Sequence, residues 1–209
     1  MAVRAVVLDL GGVLEVVDDD RWQQAWMGRW EDATGHGRGA LMAGADAGTI
    51  AAYDDGSITE AGLRAWFAQA LGLSDARTEA MLADMWDGYC GVLDVELRDF
   101  VLGLRPAVAT AALSNSADGA RREEERRYGL SDLFDVLVYS HEVGLAKPDP
   151  AIYRLTERLL DVRPDEIVFL DDRAENVAAA QACGWHAIRH TSTDASIAAV
   201  RRRLGPAGR

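Results

Sequence analysis

One lysine stands among 22 basic residues, Lys147, inside Gly144-Leu145-Ala146-Lys147-Pro148-Asp149-Pro150. A chain that writes arginine at every other basic position and keeps a single ammonium points to a task that a broad, delocalised guanidinium cannot fill. Three carboxylates belong with it. Asp9 ends the apolar run Val3 to Leu8, and Asp171-Asp172 follows Phe169-Leu170, while Ser114-Asn115 closes another apolar run at Leu113. Singly, each has an ordinary explanation as a turn former, a helix cap or a solvated surface residue. Jointly they form a charge-balanced set. Three carboxylates brought together stay ionised only beside cations, and one divalent ion plus the Lys147 ammonium would neutralise them. Oxygen donors without thiols favour a hard cation, and Mg²⁺ commonly binds through one or two carboxylates together with phosphate oxygens. A metal and an ammonium facing an anionic group are the parts that phosphoryl transfer requires, which leaves Asp9 free to attack.

These residues need elements that bring them to one place. Val3 to Leu8 reads as a buried strand meeting a tight turn at Gly11-Gly12. From about residue 18 to residue 105 helical signals replace strand signals. Trp22, Trp26 and Trp30 recur every four residues, a stripe read as packed core, and Ser57-Ile58-Thr59-Glu60 has capping-box spacing ahead of Leu63, Trp66 and Phe67. Helical stretches over about Arg77 to Trp86 and Asp94 to Leu102 complete an expected bundle. Strand character returns at Val108 to Leu113 and alternates with helices to the end. Asp135 to Ser140, Ile167 to Leu170 and His186 to Arg189 read as strands, and Pro150 to Leu160, Ala174 to Ala182 and Ala195 to Leu204 as helices. The expected fold is α/β, a Rossmann-like doubly wound parallel sheet, with a helical block inserted after the first strand and closing over the carboxyl ends of the sheet. The set of Asp9, Ser114-Asn115, Lys147 and Asp171-Asp172 then gathers along one sheet edge. The tail from Gly205 to Arg209 carries no element.

Composition narrows the partners. A net charge of −12 argues against nucleic acid, and the Arg201-Arg202-Arg203 triplet reads as a solvated helix end. The apolar start is too short for a signal peptide and no stretch approaches a bilayer span, so no membrane association is expected. Cys90 and Cys183 lack the spacing of a zinc or redox site and read as small buried residues in a reducing, cytoplasmic setting. Oligomeric state is not legible.

Four segments in order resemble the motifs of the haloacid dehalogenase superfamily: Leu8-Asp9-Leu10-Gly11-Gly12-Val13-Leu14, Leu113-Ser114-Asn115, Lys147-Pro148-Asp149, and Phe169-Leu170-Asp171-Asp172 followed by Glu175-Asn176-Val177. The resemblance implies a core over residues 1–16 and 104–209 and a small α-helical cap over 17–103. It implies a nucleophilic Asp9 that forms an aspartyl-phosphate, with Ser114 holding a phosphoryl oxygen and Lys147 balancing charge. Asn115 and Lys147 join Ser114 as substrate-binding residues, and Mg²⁺ is held by Asp9, the Gly11 carbonyl and Asp171-Asp172. The implied activity is that of a phosphatase acting on a small phosphorylated metabolite. The pattern breaks at Gly11, where the family usually has a second aspartate that moves protons. Such general acid–base help is typically worth about 10²- to 10⁴-fold. Water or a cap residue such as His36 could substitute, or substrates with good leaving groups could need no proton. Dehalogenating relatives and a non-catalytic phospholigand- or partner-binding role stay open beside the phosphatase. The acidic pair at Asp171-Asp172 disfavours the former, because it has no purpose without a cation. His36, Arg38, Trp22 and Trp26 are the expected cap residues of the pocket, and His141 and His186 read as structural.

Overall fold

The computed structural model describes residues 2–17, 19–54 and 56–205, so the last four residues of the expected tail lie outside the described residues. Strands β1 (Ala5–Leu8), β2 (Glu15–Val16), β3 (Val92–Leu93), β4 (Ala109–Ser114), β5 (Val136–Tyr139), β6 (Ile167–Asp171) and β7 (His186–Arg189) appear in that order. The helices are α1 (Asp19–Ala33), α2 (Ala40–Ala43), α3 (Ala47–Asp54), α4 (Glu60–Leu71), α5 (Asp75–Cys90), α6 (Val95–Leu104), α7 (Ala120–Tyr128), α8 (Leu130–Leu133), α9 (Ser140–Val143), α10 (Pro150–Leu160), α11 (Ala174–Ala182) and α12 (Thr193–Leu204). Five strands form one parallel sheet in the order β5-β4-β1-β6-β7, with β1 central.

The period of two along β1 decides which face each residue serves. Val6 and Leu8 join one core with Leu97 and Val101 of α6 and Ile197 and Val200 of α12. Ala5 and Val7 point the other way, into a second core with Ile152 and Tyr153 of α10 and Val177 of α11. A sheet buried on both faces needs apolar residues throughout, which is why β1 and β6 are buried along their whole length. The expected doubly wound α/β sheet is therefore present. The strands on either side of β1 bring Asp9 level with Asp171 and leave Ser114 one residue further along, since Leu8 lies opposite both Ala112 and Leu170.

Three features differ from the expected elements. Helix α4 starts at Glu60 and its cap is Thr59, whose hydroxyl accepts the Gly62 N–H at 3.1 Å, so the capping-box spacing at Ser57 marks the wrong residue. Helix α6 turns Leu97, Val101 and Leu104 toward β4, α8 and α12, and so packs on the sheet layer as well as following the helical block. Helix α7 (Ala-Arg-Arg-Glu-Glu-Glu-Arg-Arg-Tyr) buries only Ala120 and Glu124 and gives no apolar stripe to read. The chain leaves and re-enters the sheet layer through the antiparallel β2–β3 ribbon, with Glu15 opposite Leu93 and Val16 opposite Val92. Among the described residues no helix is long and apolar enough to cross a membrane.

Candidate active site

The carboxyl ends of β1, β4 and β6 open into a cleft of about 530 Å³ whose lining includes Asp9, Gly11, Ser114, Asn115, Lys147 and Asp172. Asp171 sits immediately behind, with no exposed surface. One carboxylate oxygen from each of Asp9, Asp171 and Asp172 lies within 4.8 Å of the others. The residues expected at the strand ends are thus brought together.

Lys147 is the pin of this arrangement. Its side chain is fully buried, and Nζ donates to Asp9 Oδ2 at 2.7 Å and to Asp171 Oδ2 at 2.8 Å, 5.6 Å above the Phe169 ring centre. A compact ammonium can donate to two carboxylates from different strands inside so narrow a slot, whereas a guanidinium presents a wider, planar fork. Asn115 fixes the lysine's backbone from both sides: its Nδ2 donates to the Lys147 carbonyl and its Oδ1 accepts the Lys147 N–H, each at 2.8 Å. Asp149, two residues on, caps α10 by accepting the Ala151 N–H at 2.8 Å. Lysine loop and helix start are therefore one rigid piece.

The two aspartates after β6 have different surroundings. Asp171 Oδ1 accepts the Arg173 N–H at 2.9 Å, Asn176 Nδ2 donates to both of its oxygens at 3.1 Å, and Lys147 completes Oδ2. Asp172 is half-buried and faces the cleft; burial, and then the charge of Asp171, push its carboxyl above the ordinary value. Burial also pushes Asp9 up to about 7 against the pull of Lys147, with Asp171 adding to the rise. Leu10 N–H donates to Asp9 Oδ1 at 2.8 Å, which orients the group. Among the described residues the Ser114 hydroxyl donates only a long 3.4 Å contact, to the Asn115 carbonyl, which a ligand oxygen could replace.

The set fits a hard divalent cation. The donors are all oxygen, and burial and mutual repulsion hold two of the three clustered carboxyls above their ordinary range even with Lys147 beside them. Gly12 makes room for this. Its φ of +74° favours glycine, and a Cβ there would stand 2.8 Å from Asp172 Oδ2. Gly12→Ala is accordingly expected to destabilise the fold by about 1–2 kcal/mol and to displace Asp172. Thermal melting with and without Mg²⁺ checks it: the variant should lose most of any Mg²⁺-induced rise in Tm.

The expected cap residues fare less evenly. Trp22 lines the cleft, joined by Gln23 and Tyr89, while Trp26 is packed in the core at 2% exposure. His36 is exposed and pairs with the Thr34 hydroxyl at 2.9 Å, so it is not part of the cleft lining. Arg38 pairs with Asp32 at 2.7 Å and lies over Gly28 of α1, away from the lining residues. His141 holds the Ser116 hydroxyl at 2.7 Å and steadies the loop after β4. Two contributors had no role assigned from the sequence. Asn176, noted there only within the fourth motif, supports Asp171 from the first turn of α11. Glu15 lines the cleft, and the signal for it is a lone charge inside Val13-Leu14-Glu15-Val16-Val17.

A parallel sheet whose central strand ends in a buried aspartate, flanked by a hydroxyl, a buried lysine and an acidic pair, defines a hydrolase of one particular lineage. The chain belongs to the haloacid dehalogenase-like hydrolases, whose family model matches residues 3–184. Among curated relatives, the D-ribitol-5-phosphate phosphatase of Bacteroides thetaiotaomicron is 26% identical over 88% of this chain and 89% of its own. A Bacteroides thetaiotaomicron enzyme of the family, solved with magnesium and inorganic phosphate, is 23% identical with a TM-score of 0.70, covering 91% of this chain and 95% of that one. The L-2-haloacid dehalogenase of Xanthobacter autotrophicus, solved with chloropropionic acid covalently bound, has a TM-score of 0.60 at 21% identity, covering 99% of this chain and 91% of that one. Three further curated relatives match only in part, and the chain spans 7%, 18% and 14% of their lengths.

Proposed function

We propose that this protein is a Mg²⁺-dependent phosphatase that hydrolyses a small phosphorylated metabolite through an aspartyl-phosphate on Asp9. The observation that carries the reading is the convergence of Asp9, Asp171 and Asp172 within 4.8 Å around the Lys147 ammonium. Asp9, the Gly11 carbonyl and Asp172 would hold the ion, with Asp171 behind them; its oxygens are already engaged by Lys147, Asn176 and the Arg173 N–H. Bound there, Mg²⁺ would neutralise charge on the phosphoryl oxygens. Asp9 attacks phosphorus, Ser114 donates to a phosphoryl oxygen, and Lys147 favours the ionised form of Asp9 and aims it. The helical block of residues 17–103 serves as the cap, with α6 anchoring its return to the sheet. Trp22 and Tyr89, 6.4 Å apart and nearly perpendicular, offer an apolar wall beside the Gln23 amide, which suits a hydroxylated substrate. The ribitol-phosphate activity of the Bacteroides relative supports that class.

The test is phosphate release from an aryl phosphate and a panel of sugar phosphates, with Mg²⁺ or with chelator, beside one 2-haloacid. Mg²⁺-dependent release supports the reading; halide release in chelator overturns it. The crowding of acids gives a second expectation. Saturating Mg²⁺, at about 100 times its Kd, should stabilise the fold by roughly 2.7 kcal/mol, or about 5–10 °C in Tm for a chain of this size. The increment should be larger at pH 8 than at pH 5.5, because protons compete for Asp9, whose carboxyl titrates at about 7. An equal increment at both pH values would argue that the ion binds elsewhere.

A further inference from the structure

We propose that Glu15 is the proton-transfer residue of this active site, supplying from the β2–β3 ribbon the acid that Gly11 cannot. The inference rests on the phosphatase reading above. An alkoxide is a poor leaving group and departs from phosphorus readily only if it takes up a proton, and the water that later attacks the aspartyl-phosphate must give one up. For an alkyl ester, a side chain in the cleft placed to make both transfers would raise the rate.

The backbone places Glu15 against the glycine. Its N–H donates to the Leu10 carbonyl and its carbonyl accepts the Gly12 N–H, both at 2.9 Å, so that Glu15 forms a bridge with Gly11 itself. The side chain is turned inward, at 1% exposure, and lines the same cleft as Asp9 and Ser114. Its carboxyl lies near Tyr89 and Cys90 at the end of α5, Tyr128 of α7 and Tyr139 of β5, which locates it at the junction of the helical block and the sheet.

The other protonable groups of the cleft have surroundings or roles that do not suit this transfer. Lys147 Nζ is held by Asp9 and Asp171. Asp172 serves the cation site. Arg173 pairs with Glu175 at 2.9 Å at the exposed rim. Burial holds the Tyr89 phenol far above its ordinary value, so it has no basic form to offer water.

In the first step the Asp9 oxygen forms a bond to phosphorus, the bond from phosphorus to the leaving oxygen breaks, and that oxygen takes the Glu15 proton. In the second step water attacks phosphorus, the Asp9 carboxylate departs, and the water's proton returns to Glu15. Atoms and protons balance, with alcohol and inorganic phosphate as products.

Leaving-group dependence tests the assignment, using the full chain with Mg²⁺, p-nitrophenyl phosphate and glycerol phosphate. Glu15→Gln should lower kcat for glycerol phosphate about 10²- to 10⁴-fold. With p-nitrophenyl phosphate the variant should retain a rapid, stoichiometric burst of nitrophenol followed by a slow steady state, since departure needs no proton and only the water step is impaired. Gly11→Asp added to Glu15→Gln should recover at least about tenfold of the glycerol phosphate turnover, which also guards against a variant that fails through misfolding. Equal losses on both esters with no burst, or wild-type turnover of glycerol phosphate by Glu15→Gln, would overturn the proposal while leaving the phosphatase intact. A wild-type protein that releases phosphate from neither ester overturns the phosphatase reading and the Glu15 role with it.

Discussion

Asp9→Asn is expected to stop phosphate release altogether, with a fall of at least about 10⁴-fold, equivalent to roughly 5 kcal/mol of barrier. An amide has neither the charge nor the lone-pair basicity to form a bond to phosphorus, so the loss removes the covalent route rather than weakening it. The fold should survive. Asp9 is 7% exposed and burial holds its carboxyl at about 7, so a neutral amide there relieves crowding among three acids. The amide oxygen can still accept either the Leu10 N–H or the Lys147 ammonium, which Asp9 accepts at 2.8 and 2.7 Å. The expected result is therefore a separation: no phosphate release and no phosphate retained on acid-quenched protein, with a Tm within a few degrees of wild type. An Asp9→Asn protein that keeps full activity would rule out the covalent mechanism.

Lys147→Met should be the most destabilising single change in the site. It leaves two buried carboxylates without their cation, and breaking a buried pair in this way typically costs about 3–5 kcal/mol, or roughly 6–20 °C in Tm. The pH dependence follows from the direction of the Asp9 shift. The native chain holds the Asp9 proton up to about 7, against an ordinary value of 3.8, so between those values it binds more protons than the unfolded chain. Stability from this group is present below pH 4 and is lost as pH rises through 7. Removing the ammonium strengthens that trend, so the deficit of Lys147→Met should shrink in acid and grow toward pH 8. A deficit independent of pH would point to lost packing alone. Lys147→Arg should be milder for the fold, about 1–3 kcal/mol of overpacking in a slot with no exposed surface, and severe for turnover, since the wider group displaces Asp9. Melting curves across pH and phosphate release measure the two effects separately.

The positions of Asp9, Ser114, Lys147 and the Asp171-Asp172 pair were legible because each ends an apolar run or precedes a helix start, and a parallel sheet delivers such positions to one edge. Helix α10 was legible from the proline in its first turn, and β1 from its unbroken apolar run. Helix α7 was not, because its mostly charged sequence buries only Ala120 and Glu124. The capping position of α4 was missed by two residues, since Ser57 and Thr59 both have side chains able to cap and local spacing does not choose between them.

The sequence by itself determined the five strands of the sheet and helices α10, α11 and α12, the doubly wound class, and the residue types that stand at the strand ends, because periodicity and turn chemistry act over a few neighbouring residues. Only the tertiary structure decided that Asp171 is spent on Lys147 and Asn176 while Asp172 faces the cleft, that Trp22 and Tyr89 rather than His36 and Arg38 approach the site, and that Glu15 is folded against Gly11. Those outcomes depend on which distant groups share a hydrogen bond or a buried surface. A hydrophobic period reports that a residue faces inward, and carries no information about what it meets there.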